Sequence, residues 1–145
     1  SLGMMTSELI TPDGKTMESE AAHGTFEQDC SMTFYSSSLR NRHSTLPRIP
    51  KGKETSTNPV ASIFAWTRGL AHRAKLDDTP EVARFAKALE EACVEAIDVD
   101  GIMTKDLALA QYGAKMTREH WVTTDVYMKT VEAKLKEKLS GASAL

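Results

Sequence analysis

Apolar residues recur at helical spacing through most of the second half of the chain. Val60, Ile63, Phe64, Leu70 and Ala74 fall on one side of a helix. Its start is Ser56-Thr57-Asn58-Pro59, a capping residue followed by proline at the first helical position. A second start stands at Thr79-Pro80-Glu81. The apolar set behind it is Val82, Phe85, Ala86, Leu89, Cys93, Ala96 and Ile97, a 3.6-residue period ended by Asp98 to Gly101. Thr104 caps a short predicted helix over Lys105–Tyr112, with Gly113 as its C-terminal stop. Thr124 is the expected cap of a last helix that buries Met128, Val131, Leu135 and Leu139. Lys129, Glu132, Lys134, Lys136, Glu137 and Lys138 read as its solvent side.

The first 25 residues follow another rule. Met4 to Ile10 is moderately apolar, Thr11-Pro12-Asp13-Gly14 is a turn sequence, and Thr16/Glu18/Glu20 alternate with Met17/Ser19. Pro12 presets φ at the first central turn position and Gly14 accepts φ > 0. The expectation is a β-hairpin with a polar return strand. Ala21-Ala22-His23-Gly24-Thr25 then lets the backbone approach a neighbour closely. Residues 26–50 hold no period for more than four residues. They form an atypical loop or insertion, expected to be poorly ordered, because structureless connections beyond about 12–15 residues are uncommon in compact domains. Three stretches result: 1–25 as hairpin and first loop, 26–50 as the aperiodic segment, and 51–145 as helical.

Composition narrows the classes. The chain has 145 residues, 41% of them hydrophobic and 26% charged, which is a globular balance. With 18 basic and 20 acidic side chains the net charge is −2, so no basic excess recruits nucleic acid or an anionic membrane. The longest strongly apolar run, Val60 to Trp66, is far short of the roughly 20 residues a bilayer needs. Cys30 and Cys93 cannot make a disulfide framework or a four-cysteine zinc site, and read as reduced thiols of an intracellular protein. The chain opens Ser1-Leu2-Gly3, without an initiator methionine or signal-peptide pattern, and is read as an interior cut. No compartment follows from that.

Familiar catalytic and phosphate-binding motifs are missing: there is no G-x-G-x-x-G, phosphate loop, G-x-S-x-G, H-E-x-x-H or C-x-x-C. No catalytic or metal-ligating residue is assigned. Ser56–Pro59 offers free N–H groups to a polar ligand, although most such sequences are ordinary caps. The Ala21–Thr25 run suits a backbone surface against a ligand, or simply a turn. Met103-Thr104-Lys105-Asp106 is a capped start with polar tips. Arg68, His72, Arg73 and Lys75 read as the solvated side of a helix, and Trp66 as core.

Several blocks together resemble one family. SLGMMTS (1–7), PDGK (12–15), EAAHGT (20–25), KGKETSTNP (51–59), SIFAWTRGL (62–70) and MTKDLA (103–108) resemble, in order and near-contiguity, the eukaryotic-type NADP-dependent isocitrate dehydrogenases. The resemblance covers residues 1–25 and 51–145 and places the chain at the C-terminal end of such an enzyme. It implies an α/β fold, here a C-terminal piece of an isocitrate/isopropylmalate dehydrogenase-type fold with a β-hairpin first and helices after. It also implies oxidation and decarboxylation of isocitrate to 2-oxoglutarate, with NADP as cofactor, Mg²⁺ or Mn²⁺ as Lewis acid, and a homodimer.

By the same resemblance, His23, Gly24 and Thr25 wrap the cofactor ribose and 2′-phosphate. Thr57 and Asn58 meet the adenosine, and Thr104, Lys105 and Asp106 lie near the adenine. The metal-binding aspartates, substrate-binding arginines and catalytic Tyr/Lys precede the matched segment, so none is carried over. The family's Arg-His pair for the 2′-phosphate is replaced by Gln28 and Asp29, while Arg42-His43 stands farther along as a displaced candidate. The expected function is a cofactor-side fragment, inactive by itself, with a non-catalytic helical interaction or dimerisation module as the alternative. Expected localisation is cytoplasmic or mitochondrial.

Overall fold

The computed structural model describes residues 6–21, 54 and 56–141, and residues 6–21 and 56–141 belong to one compact unit. Strand β1, Thr6–Ile10, pairs antiparallel with β2, Met17–Ala21, in the register Thr6↔Ala21 to Ile10↔Met17. The turn forms as its sequence requires. Gly14 N–H donates to Thr11 O at 2.8 Å, and Gly14 takes φ +69°. Asp13 accepts from the Thr11 hydroxyl at 2.6 Å and from Lys15 N–H at 3.2 Å, which holds its carboxyl below the ordinary carboxylate range. Glu18 and Glu20 are exposed, whereas Met17 and Ser19 are half-buried, matching the alternation of the return strand.

Four helices follow: α1, Val60–Asp77; α2, Pro80–Asp98; α3, Lys105–Tyr112; and α4, Thr124–Gly141. Two single 3₁₀ turns, Gly113–Lys115 and Arg118–His120, connect the last pair. Helix α1 ends at Asp78, which adopts φ 53°, ψ 48° and closes the helix with its N–H on Ala74 O. Gly101, at φ +67°, turns the chain out of α2 so that Ile102 N–H reaches Ala96 O at 2.9 Å.

Helix α2 lies at the centre, packed against α1 and α4. Small residues make that possible: Ala86, Ala88, Ala92 and Ala96 are all buried and let neighbouring helices approach closely. The core joins Val60, Ala92, Cys93, Ala96, Ile97, Tyr127 and Val131, flanked by Ile63, Phe64, Leu89 and Leu135. Each large apolar side chain taken from water there contributes about 1.5–3 kcal/mol.

Four expectations need correction. Met128 is exposed; the buried side chain of that turn is Tyr127, completely shielded, whose hydroxyl donates to Cys93 O at 3.3 Å. Tyr127, Val131 and Leu135 repeat every four residues, and Met128 falls beside that row. Lys134 and Lys138 are not on the solvent side. Lys138 lies over α2, its Nζ 2.6 Å from Glu95 and 3.4 Å from Glu91, and Lys134 Nζ lies 2.9 Å from Asp100, just past the end of that helix. Of the basic residues of α1, Arg68 is exposed as expected, its Nε 3.8 Å from Glu8 of the hairpin and 3.5 Å from Glu90 of α2, but His72 is half-buried with its Nε2 shielded from water. Trp66 is not core. It is 75% exposed and, with Met17, Ser19, Ala21, Ser62 and Gly69, lines a groove of about 540 Å³ between β2 and α1.

The short helix Lys105–Tyr112 and the Thr79-Pro80 start lie where the pattern put them. Residues 26–50, with Cys30, lie outside the described residues. No helix among the described residues is long and apolar enough to cross a membrane.

Candidate functional site

Three helix starts meet at one place: the segment 56–59 before α1, residues 103–106 before and within α3, and residues 122–124 before α4. A parallel bridge between Thr104 and Val122 brings the last two together, with Val122 N–H donating to Met103 O at 2.9 Å. Each start leaves N–H groups that its own helix cannot satisfy. Here side chains of the same start and of the neighbouring starts both take part.

The Ser56 hydroxyl donates to Val122 O at 2.5 Å and accepts Lys105 N–H at 2.8 Å. Thr57 N–H donates to Thr124 Oγ1 at 3.0 Å, and the same hydroxyl donates back to Thr57 O at 3.1 Å. Asn58 N–H donates to Asp106 Oδ2 at 2.9 Å, and Asn58 Oδ1 accepts Val60 N–H at 2.9 Å, which caps α1. Pro59 already has helical angles, φ −88° and ψ −3°. Asp106 Oδ1 accepts the Thr104 hydroxyl at 2.5 Å and Leu107 N–H at 3.1 Å.

Of the sequence-derived candidates, Thr57, Asn58, Lys105 and Asp106 are therefore brought together. Asp106 acts as a strut: both carboxylate oxygens are engaged within the chain. Thr57 and Lys105 are exposed. The Thr57 hydroxyl and Asn58 Nδ2 have no hydrogen-bond partner among the described residues. Lys105 Nζ stands 5.7 Å from the Trp121 ring centroid, and the Arg118 guanidinium lies 4.0 Å from the same centroid. Arg118 also donates to Trp121 O at 2.9 Å.

The groups left over are thus a hydroxyl and an amide donor before α1 and an ammonium at the start of α3, an arrangement suited to an acceptor-rich, anionic ligand. A phosphorylated adenosine is such a ligand, so the residues present fit that half of NADP.

His23, Gly24, Thr25, Arg42 and His43 lie outside the described residues. Among the described residues, no group of three or more His, Cys, Asp or Glu side chains is placed to hold a metal ion. Sequence reasoning missed two features. Arg118 and Trp121 stack three residues apart, a spacing that signals such a pair only when the intervening turn is known. Thr124, the expected cap of α4, does not cap it: Val126 N–H meets Thr123 Oγ1, at 3.4 Å, and Tyr127 N–H meets Thr123 O, at 3.0 Å. The Thr124 hydroxyl is left for Thr57.

Comparison with known proteins shows the family. The isocitrate/isopropylmalate dehydrogenase family matches residues 1–131, and the chain belongs to that family. Within it, the chain is similar to NADP isocitrate dehydrogenases. The mitochondrial enzyme of Aspergillus niger is 54% identical over 139 residues, which is 96% of this chain and 24% of the relative. The cytoplasmic enzyme of Saccharomyces cerevisiae is 50% identical over 143 residues, 99% of this chain and 30% of the relative. The peroxisomal enzyme of Candida tropicalis is 51% identical over 139 residues, 96% of this chain and 29% of the relative. The chain spans roughly a quarter to a third of the length of these relatives.

Proposed function

We propose that this chain forms the adenosine side of the cofactor site in an NADP-dependent isocitrate dehydrogenase, which converts isocitrate and NADP to 2-oxoglutarate, CO₂ and NADPH. The observation that carries this reading is the convergence of Thr57, Asn58 and Lys105 on a junction held through their backbone N–H groups, which leaves their three side-chain donors out of it. Bound NADP would supply the hydride acceptor. The chain's own residues bind and orient its distal end: Asn58 Nδ2 and the Thr57 hydroxyl donate to adenosine acceptors, and Lys105 adds positive charge. Mg²⁺ or Mn²⁺ and isocitrate would be held by parts of the enzyme that this chain does not span. A homodimer, in whichever of the relatives' compartments, completes the reading.

Titration with adenosine 2′,5′-bisphosphate tests the binding role. Asn58→Ala and Lys105→Ala are each expected to weaken binding about threefold to tenfold, the net worth of one hydrogen bond or exposed charge contact. Absence of saturable binding to the 145-residue chain would overturn the reading. The same chain is expected to reduce no NADP with isocitrate and Mg²⁺, because hydride transfer needs both reactants fixed together.

A second reading, a helical interaction module, is favoured by the exposure of Trp66. It requires a self-associated chain in light scattering that Trp66→Ser converts to monomer.

A further inference from the structure

We propose that Ser56 and Thr124 are positioning residues of this site: they touch no ligand, but lock the backbone from which Thr57 and Asn58 reach one. The inference rests on the cofactor reading above.

The geometry argues for it in three ways. First, Thr124 gives up its expected task. A threonine at a helix start ordinarily accepts an N–H of its own first turn. Here Thr123 takes that place, and the Thr124 hydroxyl both accepts from and donates to the backbone of Thr57, at 3.0 and 3.1 Å. One hydroxyl thus imitates the edge of a neighbouring strand, satisfying both polar groups of a single residue.

Second, Ser56 does the same with different partners. Its oxygen lies 2.5 Å from Val122 O and 2.8 Å from Lys105 N, so it ties the start of α1 to the approaches of both α4 and α3. Third, the anchoring is consecutive. Ser56 is held through its side chain, Thr57 through both backbone groups, and Asn58 through its N–H on Asp106. Three successive residues outside regular structure are fixed without using the Thr57 hydroxyl or Asn58 Nδ2.

A segment held this way loses little freedom when a ligand arrives. Freed from Thr124, it would have to be ordered at the expense of affinity. Ser56 also bears on Lys105, because its hydroxyl holds that residue's backbone N–H.

The test uses the 145-residue chain, adenosine 2′,5′-bisphosphate as probe, and amide resonances of Thr57 and Asn58 as local reporters. Thr124→Val keeps the shape and removes the hydroxyl; Thr124→Ser keeps the hydroxyl. Thr124→Val is expected to shift the Thr57 amide, speed its hydrogen exchange and weaken the probe about threefold to tenfold. Thr124→Ser is expected to restore both to within about twofold of wild type. Ser56→Ala is expected to repeat the loss, with the Lys105 amide as reporter, and decides the matter if Thr124→Val does not fold. Wild-type affinity in Thr124→Val or Ser56→Ala, despite a displaced amide, would overturn the positioning role. So would Thr124→Ser binding as weakly as Thr124→Val. A wild-type chain that does not bind the probe overturns the cofactor reading, and this inference with it.

Discussion

Removing the Tyr127 side chain should cost more than any other single truncation in α4. The ring is completely shielded and belongs to the cluster that joins α4 to Cys93, Ala96 and Ile97 of α2 and to Val60 of α1. Tyr127→Ala removes that ring and leaves a void beside Ala92 and Ala96, which are too short to fill it. Aromatic-to-alanine changes in such places cost about 3–5 kcal/mol. For a chain of this size, that lowers the melting temperature by roughly 8–18 °C.

Tyr127→Phe separates the ring from the hydroxyl. It deletes only the 3.3 Å hydrogen bond to Cys93 O, a carbonyl that also sits within the ladder of α2. A loss of about 0.5–1.5 kcal/mol is expected. Urea unfolding followed by circular dichroism at 222 nm, with equal slopes for the three proteins, gives both differences. If Tyr127→Ala fell within about 1 kcal/mol of wild type, α4 would not be held on α2 as described. If Tyr127→Phe cost as much as Tyr127→Ala, the hydroxyl rather than the packed ring would be the anchor.

Burial pushes the Cys93 thiol from 9.0 up to about 11 and raises the Tyr127 phenol as well. Both protons stay on longer in the folded chain, so stability falls as pH rises above about 9. The Cys93 share is about 2–3 kcal/mol, lost in full once pH passes 11. Cys93→Ala should remove most of the slope between pH 9 and 10 in urea titrations, and an unchanged slope would refute this. Trp66→Ser should change the stability of the isolated chain by less than about 0.5 kcal/mol, since its ring is already in water. A loss above about 2 kcal/mol in the same urea assay would show that the ring is covered.

Most of the helical scaffold was legible because its signals are local. Thr79-Pro80 marks α2, and Thr104 with Gly113 brackets α3, through preferences of single residues for single backbone angles. The hairpin followed from Pro12 and Gly14 in the same way. Phase was harder. Val126, Tyr127 and Met128 are three apolar residues in a row, and only the partner helix decides which of them is buried. Trp66 shows the converse: an apolar run announces a buried face without saying which face remains open.

The lysines of α4 show that charge does not fix exposure. Lys134 and Lys138 continue the row of Tyr127 and Val131 and lay their heads on Asp100, just past the end of α2, and on Glu91 and Glu95 within it, with Glu95 holding Lys138 more firmly protonated than usual. At the site, the resemblance picked out Thr57, Asn58, Lys105 and Asp106, and the structure brings them together. That Asp106 is consumed as a strut, and that Ser56 and Thr124 serve the segment between them, depends on bonds between residues far apart in the chain. No local pattern encodes such bonds.

Those separations carry a consequence for synthesis. The bonds that fix Thr57 and Ser56 reach 67 and 66 residues along the chain, to Thr124 and Val122, whereas the last candidate ligand-facing residue is Lys105. A nascent chain that has emerged only as far as α3 holds all of those candidates and can tie Ser56 to Lys105 and Asn58 to Asp106, but Thr57 still lacks its partner. The last lock therefore arrives when α4 docks, so a premature stop after residue 112 would leave the donors present and Thr57 unheld.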